Sequence, residues 1–190
     1  MRIIIAPYRP EWAQAFLDLG RAIRETAGEL ALRIDHIGST SVPGLAAKDI
    51  IDIQVTARAL TPALAQALTA IGYRHMEHIT GDHVPPGADG APEDWTKWLF
   101  KIESEACRVN LHVRRTGAAN QKYALLFRDY LRAHPHAAAA YAQVKTALAR
   151  LHPDDADAYY DVKDPVCDLI MAGAAHWAAA SGWEPGRTDC

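Results

Sequence analysis

Two polar clusters in this chain of 190 residues have the residue types and spacing to handle a phosphate. Gly38-Ser39-Thr40 supplies a tight bend, backbone N–H groups and two hydroxyls, and a carboxylate, Asp52, follows on an apolar strand. Phosphate oxygens need several convergent donors, and a metal-bound triphosphate also needs a carboxylate nearby. Strand alternation sends Ile51, Ile53 and Val55 to one face and Asp52 and Gln54 to the other. The same rule groups Val109, Leu111 and Val113 and turns Asn110 and His112 the opposite way. If both strands share a sheet, four polar side chains converge on one face. A plainly solvated face has the same pattern, and it is the Gly-Ser turn that points to a cleft.

The elements that must position these residues read as an α+β order. A helix after Pro10 repeats Trp12, Phe16, Leu19 and Ile23 at three- and four-residue intervals. "ALRIDHI" is a strand ending at Gly38 and "DIIDIQV" a second. A helix then starts with Thr61 as N-cap and Pro62 at its first position, and stops at Gly72. "TGDHVPPGADGAPEDW" has the length and composition of a functional or mobile loop. The strands "TKWLFKIE" and "CRVNLHV" follow, joined around Glu103 to Ala106. From Gly117 the chain is helical, with Pro135 and Pro153 separating three helices, the last from about Asp154 to Ala180. The expectation is one domain over 1–180, with a sheet-containing core over 1–116, a helical layer over 117–180 and a flexible tail over 181–190.

Composition narrows the function classes. A formal charge of −3 gives no global basic field, so nucleic acid is not the expected partner. The N-terminal apolar run is too short for a signal core or a membrane span, which points to a cytoplasmic protein with no membrane partner. Cys107, Cys167 and Cys190 have no C-x-x-C spacing and read as reduced thiols. Ser39 is not in a G-x-S-x-G elbow, and no G-x-G-x-x-G stands at a strand-to-helix turn. His75 and His78 point to opposite sides of a strand, a poor chelating pair. Trp95, Trp98 and Tyr123 read as packing aromatics, and His36 beside the turn as a residue that lines the cleft.

"DHIGSTSVPGLAAKDIIDIQV", "LHV", "FRDYLRAHP" and "YYDVK" resemble, in this order, the GrpB family of bacterial proteins, from Tyr8 and Trp12 to about Trp177. That family is similar to the nucleotidyltransferases that include DNA polymerase beta. The resemblance implies a nucleotidyltransferase-like mixed β-sheet with helices packed on it, a nucleotide cleft, and divalent metal, magnesium or manganese, held by carboxylates. Gly38 and Ser39 match the turn and Asp52 the first carboxylate. The second carboxylate position carries Gln54, and the third strand offers Asn110 and His112, whose imidazole suits a transition metal better than magnesium.

Two readings follow. In one, the protein transfers a nucleotidyl or phosphoryl group to a small molecule: Ser39, Thr40 and backbone amides hold a nucleoside triphosphate, and Asp52 holds one metal. His112 is then a base or a ligand, and Lys48, Arg128 or Lys163 neutralises phosphate charge. In the other, the scaffold binds a nucleotide or an anionic metabolite without two-metal catalysis.

Overall fold

The computed structural model describes residues 2–88, 91–104 and 107–190. Among them, five strands form one mixed sheet in the order β1-β2-β5-β4-β3. These are β1 (Arg33–Ile37), β2 (Ile51–Ala57), β3 (Arg74–His75), β4 (Trp98–Glu103) and β5 (Arg108–Arg115). β2 and β5 run parallel and the other pairs antiparallel. The β2–β5 register sets Asp52 against Asn110 and Gln54 against His112, so the four polar residues do share a face.

The opposite face is the core. Ile51, Ile53 and Val55 meet Val109, Leu111 and Val113, and all six are nearly or fully buried. Two helices cover them, α1 (Glu11–Ala27) and α2 (Pro62–Ala70). The first buries Trp12, Phe16, Ile23 and Ala27 along one stripe, the spacing that its sequence repeats. Thr61 caps the second by accepting from the Leu64 N–H, and Pro62 costs nothing there because that N–H has no helical partner.

Three helices stand over the polar face: α3 (Ala119–Ala133), α4 (Pro135–Leu151) and α5 (Ala156–Ser181). Val42 and Leu45, just after the Gly38 turn, pack with Leu131, Ala138 and Tyr141. This second apolar cluster fixes the helical layer against the turn. Between that layer and the sheet lies the cleft.

The structure departs from the sequence expectations in two places. The third strand shrinks to Arg74–His75, and His78 falls beyond it in a turn; His75 instead stacks on Phe100 with 4.4 Å between ring centroids. Of the connection expected at Glu103 to Ala106, residues 105 and 106 lie outside the described residues, as do 89 and 90 of the long loop.

The tail is the second departure, since it is docked rather than flexible. Cys190 donates its N–H to the Ile34 carbonyl at 3.1 Å, and Thr188 Oγ1 accepts from the Ile34 N–H at 2.9 Å. Asp189 Oδ2 accepts from the His36 N–H at 2.9 Å and from Arg128 at 2.6 Å. β1 is an edge strand, and its free N–H and C=O groups are what the tail satisfies. Composition signals fraying, but pairing with an open edge has no local sequence signature.

Asp189 also neutralises Arg128, whose side chain is 3% exposed. Breaking a buried pair by removing one partner costs about 3–5 kcal/mol, and the partial exposure of Asp189 reduces that. Asp189→Ala is therefore expected to lower unfolding stability by about 2 kcal/mol in urea. A loss below about 0.5 kcal/mol would show that the tail is only loosely attached.

Candidate functional site

The Gly38 turn is built around Asp52. Gly38 has φ +70°, and a Cβ placed there would stand 2.9 Å from Asp52 Cβ and 3.0 Å from Asp52 Cγ. Only glycine allows both the left-handed backbone and the approach of the carboxylate. Ser41 Oγ closes the turn by donating to the Gly38 carbonyl at 2.6 Å. Thr40 donates to the Ile50 carbonyl at 3.1 Å and accepts from His36 Nε2 at 3.0 Å. That hydroxyl ties the turn to β2 rather than standing free for a ligand. His36 is stacked on Phe16, and burial pushes its pKa down to about 4.

The cavity beside the turn has a volume of about 480 Å³, in the range of small-molecule sites. Its lysine end is formed by three helical or loop residues. Lys145 of α4 is 3% exposed and donates to Ser39 Oγ and to the Ala46 carbonyl, each at 2.7 Å. Lys48 lies 4.7 and 4.6 Å from the ring centres of Tyr159 and Tyr160 and donates to the Tyr160 hydroxyl at 2.8 Å. Lys163 reaches the same wall of α5, paired with Asp164 at 2.8 Å. Burial, with Lys163 and Lys48 nearby, pushes the Lys145 ammonium down to about 7.

The other end is a closed polar network. Arg114 grips Asp82 with two bonds of 2.8 and 3.0 Å and donates to Gln54 Oε1 at 2.6 Å. It also reaches His112 Nδ1 at 3.4 Å. Lys97 donates to Asp82 at 2.6 Å, and Asn120 at 3.0 Å. Burial would raise the Asp82 pKa, but Arg114 and Lys97 more than reverse it and hold the carboxyl well below its usual range. Asp52 is likewise held low: burial works upward, and the His112 ring 3.8 Å away together with the hydrogen bond from Asn110 Nδ2 at 2.9 Å outweighs it. Burial pushes His112 down to about 4, leaving a neutral ring. Between the two ends stands an aromatic wall of Trp95, Tyr123 and Phe127.

Of the residues singled out by sequence, Gly38, Ser39, Thr40, Lys48, Asp52, Asn110, His112 and Lys163 all border the cavity. Arg128 does not. It turns away to Asp129, Asp189 and the His36 carbonyl, because the tail supplies a carboxylate on that side. Gln54 shares the polar face but is fully buried, with its amide donating to the Gln121 carbonyl at 3.2 Å and its oxygen taken by Arg114. Tyr123, read as packing, borders the cavity, whereas His36 does not.

Sequence reading missed Arg114, Asp82, Lys97, Asn120 and Lys145. Arg114 could have been found by extending the alternation Asn110, His112 one step. Lys145 falls in the stripe Ala138, Tyr141, Lys145, Leu148, all buried, and a lysine inside an apolar stripe is the signal. Nothing in the loop marks Asp82, whose partners come from β5, α3 and the residue before β4.

The donor set does not fit a two-metal centre. Asp52 is the one carboxylate on the β2–β5 face. Among the described residues no group of three or more His, Cys, Asp or Glu could hold a metal ion.

A family model described as "GrpB protein" matches residues 2–172. The chain belongs to the GrpB family. A crystal structure of the conserved GrpB protein from Enterococcus faecalis superposes with a TM-score of 0.74 at 30% identity, covering 92% of this chain and 99% of that one. The UPF0157 protein BH1888 of Halalkalibacterium halodurans is 34% identical over 90% of this chain and 82% of its own length. A dephospho-CoA kinase of Mycolicibacterium paratuberculosis is 37% identical over 95% of this chain. The chain spans about half, 48%, of that kinase's length. Among the described residues of this GrpB chain, no helix is long and apolar enough to cross a membrane.

Two predictions test the geometry. Gly38→Ala adds a clash with Asp52 to left-handed strain, and is expected to cost about 2 kcal/mol in urea unfolding; a neutral effect would mean the turn is not packed on Asp52. Lys145 releases its proton near pH 7 when folded and near 10.5 when unfolded, so the unfolded state binds more protons in between and stability rises with pH. The melting temperature between pH 7 and 9 should climb more in the natural protein than in Lys145→Met; parallel curves would reject the buried lysine.

Proposed function

We propose that the cleft binds a nucleotide or similar phosphate ester, with the phosphate on the lysine end and the ring against Tyr123 and Trp95. The observation that carries this reading is the bond of Lys145 to Ser39 of the turn, with Lys48 and Lys163 bordering the same cavity. When Lys145 is protonated, three ammonium groups on one wall repel each other, which is part of why its pKa falls to about 7, and its Nζ is bonded only to neutral oxygens. An anion relieves that repulsion, so the wall is poised to bind one.

Two further features support it. Asn120 Oδ1 and the Tyr159 hydroxyl are buried without a hydrogen-bond partner among the described residues, and both side chains border the cavity. Such atoms are costly when empty and useful when a ligand meets them. The match of Gly38, Ser39 and Asp52 to the nucleotidyltransferase pattern agrees with a phosphate at the turn. We read the protein as a binding module rather than a transferase, since a metal-dependent transfer needs an ion that the donors at Asp52 are poorly arranged to hold. The kinase name of the mycobacterial relatives is not carried over: the chain spans half of their length, and it has no Gly-Lys pair for a P-loop.

A ligand bound only by the native state raises its stability, by about 2.7 kcal/mol at a hundredfold excess over Kd. Nucleoside mono- and triphosphates are expected to raise the melting temperature by several degrees, and Lys145→Met to abolish the rise while leaving a folded protein. If no phosphate compound shifts the melt, or if Lys145→Met responds like the natural protein, the reading is wrong.

A further inference from the structure

We infer that the cleft takes its phosphate ligand free of divalent metal, as a phosphomonoester dianion, with Arg114 serving as a fixed cation where a metal ion would otherwise be held. The inference rests on the cleft being a phosphate site and adds the ionic form of the ligand.

The geometry of Arg114 carries it. A guanidinium only donates hydrogen bonds. Its 2.6 Å bond to Gln54 Oε1 uses the one side-chain oxygen that could have stood in for a second carboxylate. Its contact with His112 at 3.4 Å requires that Nδ1 carry the lone pair, so the ring proton lies on Nε2, which faces Asp52 Oδ1 at 3.8 Å. Neutral imidazole ligates a metal through its unprotonated nitrogen. In this ring that nitrogen faces a cation. Asp52 Oδ1 is in turn bonded by Asn110 Nδ2 at 2.9 Å, and Oδ2 is the atom lying against Gly38. Asp82 locks Arg114 in place with two bonds, so the guanidinium cannot swing aside for an ion without giving up both of them and its bond to Gln54.

Charge balance sets the class of ligand. The cavity is bordered by Lys48, Lys97, Arg114, Lys145 and Lys163, and by Asp52, Asp82 and Asp164. With Lys145 held protonated by the bound anion, five cations against three carboxylates leave two positive charges, which a phosphomonoester near its second ionisation matches. Di- and triphosphates carry more charge and bind magnesium between their phosphates, and such a chelate would bring a second cation against Arg114.

The test uses the natural protein with AMP and ATP, each in EDTA and in excess magnesium, read by thermal shift. Expected are a shift with AMP that is the same in both buffers, and a shift with ATP in EDTA that is lost when magnesium is added. An ATP shift that appears only with magnesium, or grows with it, overturns the inference while upholding the phosphate site. No shift in any buffer removes the phosphate reading itself and this inference with it. A ligand-free arm titrates manganese alone and follows the spin-resonance signal of the free ion. Retention of the full signal is expected; its loss on adding protein in equal amount would overturn the inference.

Discussion

Arg114 places a permanent charge where its side chain is only 6% exposed, and a charge buried that deeply must be neutralised where it stands. Asp82 does so from the loop that precedes β4, and Lys97 and Asn120 complete the carboxylate's partners. The same guanidinium fixes the tautomer of His112 and occupies Gln54. One ion pair therefore joins β5, β2, the 80s loop and the start of α3, and decides what the polar face of the sheet can bind.

The parallel β2–β5 pair makes this possible. It aligns Asp52 with Asn110 and Gln54 with His112, and its apolar side is packed under α1 and α2. A slip of one residue would bury all the polar groups in that core, so the register is held by the hydrophobic effect rather than by the site. The site inherits its precision from the core beneath it. Its other wall, on α4 and α5, is held by a separate apolar cluster around Leu45 and Tyr141, which leaves a gap between two rigid layers.

Much of this was legible in the sequence, and the reasons are local. Alternation placed Asp52, Gln54, Asn110 and His112 on one face, helical spacing placed Trp12, Phe16 and Ile23 on another, and Gly38 marked the turn. What escaped was whatever depends on a distant partner. Arg128 reads from the sequence as a cleft residue because nothing in its helix shows that Asp189, sixty-one positions on, draws it to the opposite side. Lys145 was hidden in an alanine-rich helix, and Asp82 in a loop whose composition says only that it bends. The chemistry shifted with them: the residue at the second carboxylate position matters less than the arginine that binds it.

Whether the cleft is a metal-free phosphate site centred on Lys145 and Ser39 is best tested by a crystal structure with a nucleoside monophosphate bound in the presence of EDTA. Phosphate density is expected within hydrogen-bonding distance of Lys145 Nζ and Ser39 Oγ, with the Arg114–Gln54 and Arg114–Asp82 bonds intact. Density at Asp52 only when a divalent ion is supplied, with Arg114 displaced, would contradict it.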